Sequence, residues 1–134
     1  MIYPNEFHEL GEKLLENYSN LCDAGENPES LEESVFRTVI DRAYYSAFLE
    51  AREWLQANTS FKPTRTGKDH DLVRIYIKTA NITNATSLAG KLSNLKKDRG
   101  QASYHLTGGF SRQYTKEDTE MILKRSKNVI DSFK

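Results

Sequence analysis

The stretch RTVIDRAYYSAFLEAREWL, residues 37–55, lies within a longer run of helical periodicity that predicts one helix from Ser30 to Asn58. One line of apolar residues recurs at spacing four and comprises Leu31, Val35, Val39, Ala43, Ala47, Ala51 and Leu55. A second line runs beside it and comprises Phe36, Ile40, Tyr44 and Phe48. Together the two lines form an apolar face wide enough to contact two neighbouring helices, and the alanines permit a close approach.

Helical periodicity also precedes and follows this stretch. A first helix of about five turns is predicted by apolar residues three and four apart, namely Phe7, Leu10, Leu14, Leu15, Tyr18 and Leu21. The segment DHDLVRIYIKTA, residues 69–80, predicts a shorter helix, because a lone strand would have no partner in this chain.

Two further helices complete the pattern. The first carries a heptad-like seam, formed by Ala85, Leu88, Leu92, Leu95, Arg99, Ala102 and Leu106. The second opens with TKED, a capping-box pattern in which Thr115 caps the helix and Asp118 reaches back. Its predicted buried face comprises Met121, Ile122, Val129, Ile130 and Phe133. We therefore predict an all-α fold, an up-and-down four-helix bundle with one short additional helix, in a single domain over residues 1–134.

Charge is unevenly distributed although the chain has no net charge. Residues 1–60 hold 12 acidic and 4 basic side chains, whereas residues 61–90 hold 2 and 5, and residues 91–134 hold 5 and 10. One interpretation is that acidic and basic helices pack side by side and compensate each other. The other is that the basic C-terminal half contacts phosphate.

Several classes of protein do not fit the residues present. The single cysteine excludes an internal disulfide and a cysteine-based zinc cluster. The three histidines show no helical ligand spacing, and the chain has neither a phosphate-binding P-loop nor a nucleophile elbow, so no metal or cofactor is expected. No apolar run approaches the roughly 20 residues of a membrane span. The acidic N-terminus does not resemble a secretion signal, so we expect a cytoplasmic protein.

Arg99 occupies a slot of the apolar seam, and His105 follows six residues later. Arginine grips a phosphate in two places, and histidine exchanges protons near neutrality. The pair is sufficient for cleaving RNA without a metal. On an ideal helix, however, the two side chains lie about 120° apart and about 9 Å along the axis. Either the helix unwinds near Gly100 or the segment TGGF, or two copies of the chain pair an Arg99 with the other copy's His105. The alternative is that both residues are structural.

Three motifs occur in the order found in HEPN domains, which are small helical bundles. The segment RTVIDRAYYSAFLEAREWL resembles their R-A-Y-Y-A helix, KDHDLVRIYI is similar to the H-x-x-L/V segment that follows, and LSNLKKDRGQASYH resembles their L-x-x-L-x-x-x-R-x-x-A-D-Y signature. The chain departs from the family at Gly100, where a polar residue usually follows the arginine, and at Ser103, where aspartate is common.

The resemblance implies a homodimer with a composite site. It assigns Arg99 to phosphate binding and His105 to acid–base work or hydroxyl positioning, with Tyr104 stacking on a base or orienting the histidine. Ser103, Arg42 and His70 are further candidates for substrate contact. For His70 a structural role is also expected, and Arg42 would pair with an acidic residue or line the cleft.

Three functional hypotheses follow from the resemblance and the chemistry together. The first is a metal-independent endoribonuclease of the toxin or phage-defence type, restrained by a nucleotidyltransferase antitoxin. The second is a non-catalytic module that binds a nucleotide or RNA and partners a minimal nucleotidyltransferase. The third is a structural bundle in which Arg99 sets the register of a dimer.

Overall fold

The computed structural model describes residues 4–23, 28–104 and 114–134, which form six α-helices and no strand. The helices are α1 (Pro4–Glu16), α2 (Tyr18–Asp23), α3 (Pro28–Asn58), α4 (Asp69–Thr79), α5 (Ala85–Tyr104) and α6 (Lys116–Asp131). The prediction of an all-α fold is confirmed. Within the described ranges, no helix combines the length and the apolar composition needed to cross a bilayer.

The long helix α3 is the centre of the fold and contacts each of the other five helices. The predicted apolar lines are deeply buried along its middle and C-terminal parts, where the fully buried residues are Val39, Ile40, Ala43, Ala47, Ala51 and Leu55. Alanine side chains allow neighbouring helices to pack close to the α3 axis. Helix α3 therefore contacts more neighbouring helices than the two predicted from the width of its apolar face.

The predicted single N-terminal helix is wrong, because the chain breaks into α1 and α2 at Asn17. The side-chain amide of Asn17 donates to the carbonyl of Lys13 at 2.9 Å, in addition to the backbone N–H bond to the same oxygen at 3.1 Å. Asparagine side chains that bond to nearby carbonyls compete with regular helical bonding. The interruption raises the number of described helices from the predicted five to six.

Three residues predicted on buried faces are instead exposed: Leu10 at 46%, Leu31 at 38% and Met121 at 64%. On α1 the buried face includes His8 and Gly11, which an apolar pattern does not register. On α6 it includes the polar residues Thr119, Ser126 and their apolar neighbours. Because small and polar side chains share these faces, counting apolar residues alone misjudged which side of each helix is buried.

The cap of α6 and the middle of the α5 seam are confirmed, whereas Ala85 is partly buried and Leu106 lies outside the described residues. Leu88, Leu92, Leu95 and Ala102 are all buried. At the start of α6, Thr115 Oγ1 accepts the N–H of Asp118 at 3.1 Å, and Asp118 Oδ2 accepts the N–H of Thr115 at 3.2 Å.

Helix α5 continues without interruption through Gly100 to Tyr104. A methyl group added at Gly100 would have no neighbouring atom within 4 Å. The possibility that the helix unwinds at Gly100 is therefore wrong, and the glycine is not required there by close packing.

We predict that Gly100→Ala raises the free energy of unfolding by about 0.5–1 kcal/mol, because alanine restricts the unfolded chain and favours helix. Urea denaturation followed by circular dichroism measures the change. Gly90→Ala, at another open position of α5, is the matched control and should produce a similar gain. A loss of stability confined to Gly100→Ala would contradict the regular helix seen at this position.

Candidate nucleic-acid interface

Arg99 lies on α5 between the buried residues Leu95 and Ala102, and side chains of the central helix α3 form hydrogen bonds with it. Its Nε donates to Asp41 Oδ1 at 3.1 Å, and its Nη2 donates to Tyr45 Oη at 3.0 Å. The Arg99 side chain is only 16% exposed and that of Asp41 only 28%. An unpaired charge in such a seam would be costly. Asp41 of the same chain provides a partner, so the arginine does not need a second chain for neutralisation.

Aromatic rings surround the Arg99 guanidinium. Its carbon atom Cζ lies 4.7 Å from the centre of the Tyr45 ring and 5.8 Å from that of Tyr44. These distances fall within the range of cation–π attraction. Tyr45 both contacts the guanidinium through its ring and accepts a hydrogen bond from it, which holds the arginine in place.

His70, at the start of α4, joins the same group of side chains. Its Nδ1 is hydrogen-bonded to the hydroxyl of Tyr44 at 2.5 Å, and its ring stacks on Phe48 with 4.4 Å between centroids. Burial raises the pKa of Tyr44 well above its usual 10. The hydroxyl therefore keeps its proton and donates it to Nδ1, which leaves the ring proton of neutral His70 on Nε2.

The surroundings of His70 favour its uncharged form. Burial of the ring, together with the positive charges of Lys96 and Arg99, holds the pKa of His70 below its usual 6.5. A neutral ring with Nδ1 bonded to Tyr44 has no lone pair left for a substrate proton. In this arrangement His70 acts as a hydrogen-bond donor through Nε2 rather than as a general base.

A groove of 390 Å³ lies beside these rings, between α3 and the segment that leads into α4. Its lining residues are Tyr45, Phe48, Arg52, Arg65, Thr66, Gly67, Asp69 and His70. The volume falls within the range of small-molecule sites. Tyr45 belongs both to the groove and to the contacts of Arg99, so the two features form one continuous region, which we call the Arg99 face.

Asp69 fixes the wall of the groove. Its Oδ1 accepts from the backbone N–H of Thr64 at 2.8 Å and from the Thr64 hydroxyl at 2.7 Å, while its Oδ2 accepts from the Arg65 N–H at 3.0 Å. Burial alone would raise the pKa of Asp69, but these hydrogen bonds outweigh it and hold the pKa below the usual 3.8. The carboxylate is thus charged at neutral pH and engaged by the loop.

A second ion cluster links α4 to α5 near the Arg99 face. Asp71 accepts from Arg74 Nη2 at 2.6 Å and from Lys96 Nζ at 3.3 Å. Hydrogen bonds from Arg74 and Lys96 hold the pKa of Asp71 below its usual 3.8. The cluster thus ties Lys96, whose charge lowers the pKa of His70, to α4.

The remaining predicted site residues are distributed as follows. Arg42 lies against α1, with Cζ 5.3 Å from the Phe7 ring, and it has no carboxylate partner in the part of the chain that the structure describes. The expected acidic partner is therefore not observed, and Arg42 does not line the groove. Ser103 and Tyr104 form the last turn of α5. His105 lies outside the described residues.

Sequence reasoning missed Asp41, Tyr45 and the two groove arginines. One signal was available, because Asp41 and Tyr45 are four residues apart and therefore share a face of α3. Arg52 and Arg65 are far apart in the chain and carry no motif. Only the turn before α4 brings them to one groove.

A larger cavity of 460 Å³ lies between α1, α2 and α6, away from the Arg99 face. Its charges are of both signs, and Lys116 and Glu120 approach each other at 3.7 Å. Both ring nitrogens of His8 are also committed, to Glu12 at 2.8 Å and to the Leu123 carbonyl at 3.1 Å. This mixed lining gives no preference for an anion, so we place the candidate site at the Arg99 face.

Comparisons of the chain with protein-family models, curated proteins and solved structures found no match. Among the described residues, no group of three His, Cys, Asp or Glu side chains is arranged to hold a metal ion.

We predict that Tyr44→Phe raises the pKa of His70 towards 6.5, because the lost hydroxyl no longer stabilises the neutral ring. Long-range ¹H–¹⁵N NMR titration measures this pKa in both proteins. Since the folded pKa lies below the unfolded value, the contribution of His70 to stability is complete above about pH 6.5 and is lost as the pH falls through the folded pKa. Unfolding measured from pH 7.5 to 5 should therefore show a smaller loss in Tyr44→Phe. An unchanged His70 pKa in this variant would contradict the assigned tautomer.

Proposed function

We propose that this chain is a HEPN-type protein, an up-and-down four-helix bundle with additional short helices, that binds RNA at the Arg99 face and cleaves it without a metal as a homodimer. The observation that carries the proposal is the position of Arg99. Asp41 and Tyr45 hold its guanidinium beside aromatic rings and beside a groove that contains two more arginines. Arginine next to aromatic rings is the combination that single-stranded nucleic acid uses, through phosphate contacts and base stacking.

The proposed reaction divides the work between two side chains. Arg99 stabilises the negative charge that grows on the phosphate in the transition state. The RNA 2′-oxygen attacks the adjacent phosphorus as the bond to the 5′-oxygen breaks. His105 either takes the proton of the 2′-hydroxyl while water protonates the leaving 5′-oxygen, or protonates the leaving oxygen while water takes the 2′-hydroxyl proton. We do not assign this role to His70, because Tyr44 engages its Nδ1.

The regular course of α5 supports a composite site. From Arg99 to Tyr104 the backbone is helical, so it turns by about 500° over these five steps. If the helix continued for one more residue, Arg99 and His105 would lie about 120° apart, and one phosphate would not readily reach both in a single chain. We propose that a second copy provides His105 to the Arg99 of the first, in a cytoplasmic toxin or phage-defence protein with a nucleotidyltransferase antitoxin.

The second candidate function is a non-catalytic nucleotide- or RNA-binding module that partners a minimal nucleotidyltransferase. The ion pair between Arg99 and Asp41 favours it, because a phosphate must compete with a carboxylate that already neutralises the arginine. Binding at the Arg99 face without cleavage distinguishes this function from the first.

We predict that Arg99→Lys and His105→Ala each reduce cleavage of a single-stranded RNA by at least about 100-fold, the range typical for loss of one electrostatic or acid–base group. Lysine keeps the positive charge, which limits disturbance of Asp41. It loses the ability of arginine to contact a phosphate through two N–H groups at once. Electrophoresis of labelled RNA measures cleavage, and circular dichroism checks folding. Lys127→Gln, on the exposed side of α6, removes a charge elsewhere and should cleave normally. Activity that EDTA abolishes would contradict the metal-free mechanism, and RNA binding without cleavage by the unaltered protein would favour the second function.

Mixing Arg99→Ala protein with His105→Ala protein tests the composite site. If the two residues act across a two-fold axis, each mixed dimer has one intact site. Random mixing then restores about a quarter of the unaltered activity. Native mass spectrometry, which resolves the mixed dimer from both homodimers, confirms that subunits exchange. No recovery after proven exchange would place both residues in the same chain's site or remove one of them from catalysis.

A further inference from the structure

The groove beside Arg99 contains two arginines that form no ion pair with a carboxylate at hydrogen-bond distance among the described residues, although the Arg52 guanidinium lies 5.7 Å from the centre of the Phe48 ring. Arg52 and Arg65 form no side-chain hydrogen bond or ion pair with any residue in the described ranges. By contrast, Arg37, Arg74, Arg99 and Arg125 each contact a carboxylate. Asp69 in the groove wall accepts three hydrogen bonds from the loop, and the positive charge of Arg52 also acts on it, so the two arginine charges exceed the single negative charge of the wall. The groove therefore offers two cations to an anion from solution.

Arg65 is held in an unusual backbone conformation at the rim of this groove. Its φ is 63°, in the left-handed region that non-glycine residues rarely adopt. The hydrogen bond from its backbone N–H to Asp69 helps to maintain this conformation. The contact with Asp69 thus fixes the backbone of Arg65 in a conformation that the loop by itself would rarely adopt.

Aromatic rings supply the second half of a nucleotide site. His70 and Tyr45 are half-buried and line the groove, while Phe48 lies buried behind His70 as a stacking support. The Nε2–H of His70 has no hydrogen-bond partner among the described residues, because only Nδ1 is engaged. This N–H is available to a carbonyl oxygen or ring nitrogen on the edge of a base.

We propose that the groove binds one unpaired nucleotide of the RNA, with its base against the rings of His70 and Tyr45 and its phosphate between Arg52 and Arg65. The inference rests on the proposed function, since it names the substrate as single-stranded RNA and adds a subsite next to the phosphate held by Arg99. A base in a duplex has both faces stacked and cannot enter such a groove. Tyr45 connects the subsite to Arg99, so the bound nucleotide flanks the phosphate to be cleaved.

The first test measures binding of adenosine 5′-monophosphate and of inorganic phosphate by isothermal titration calorimetry. Arg65→Asn removes the cation and retains a residue that tolerates positive φ, and it should weaken nucleotide binding at least about tenfold. Arg52→Gln should have a similar effect. Lys127→Gln is the charge-matched control outside the groove and should bind as the unaltered protein does. Equal losses in Lys127→Gln and the groove variants, or no loss in either groove variant, would overturn the proposal.

The second test separates base stacking from phosphate binding. His70→Ala should weaken binding of the nucleotide about tenfold while leaving binding of inorganic phosphate unchanged, whereas His70→Phe should retain most of the stacking. Equal weakening of both ligands in His70→Ala would show that the ring does not contact the base. Thermal unfolding identifies any variant that fails to fold, in which case Arg65→Asn, at an exposed position, decides the question.

Competition with RNA distinguishes this inference from the proposed function. A single-stranded oligonucleotide should displace the nucleotide from the groove, and the same sequence in a duplex should not. If the groove variants bind and cleave RNA normally while Arg99→Lys does not cleave, the subsite is wrong and the proposed function stands. If the nucleotide binds in the groove but no RNA is cleaved, the subsite stands and the proposed nuclease fails.

Discussion

The burial of α3 among the other helices is the constraint on which the rest of the structure depends. Because α3 contacts every other described helix, polar side chains on its buried faces need partners, and several find one on a neighbouring helix. Ser46 does so with Ser126 of α6 at 3.2 Å, and Tyr44 does so with His70 of α4. Asp41 and Tyr45 do so with Arg99 of α5. These polar contacts help to determine how the neighbouring helices pack against the apolar face of α3.

Two residues of α3 hold helix α5 in place, and one of them does so through Arg99, a proposed catalytic residue. Nη1 of Arg37 donates to the carbonyls of Gln101 and Ala102 at 3.1 and 2.8 Å, near the C-terminal end of α5. A positive charge at this end also interacts favourably with the helix dipole. One turn earlier, Asp41 holds Arg99. The same ion pair that orders the arginine also lowers its attraction for phosphate, so the proposed RNA binding requires further cations, such as those of Arg52 and Arg65 in the groove.

Much of the fold was predictable because it follows from short-range patterns. The extent of α3, the helical state of residues 69–79, the seam of α5 and the capping box of α6 all depend on residues within a few turns of one another. Errors arose where a side chain interrupted or replaced the apolar pattern. Asn17 divides the first helix through its own side chain, and Gly11 or Ser126 occupies buried positions that hydrophobicity does not mark.

The sequence by itself determined the helical class, most helix limits and the position of Arg99 within the apolar seam of α5, since each of these follows from periodicity or from a charge that breaks it. Only the tertiary structure decided what Arg99 contacts, because Asp41 lies 58 residues away in the chain. It also decided that His70 is engaged by Tyr44 and that Arg52 and Arg65 share one groove. Such contacts depend on how helices pack against α3, and no local pattern records the distances between side chains of different helices.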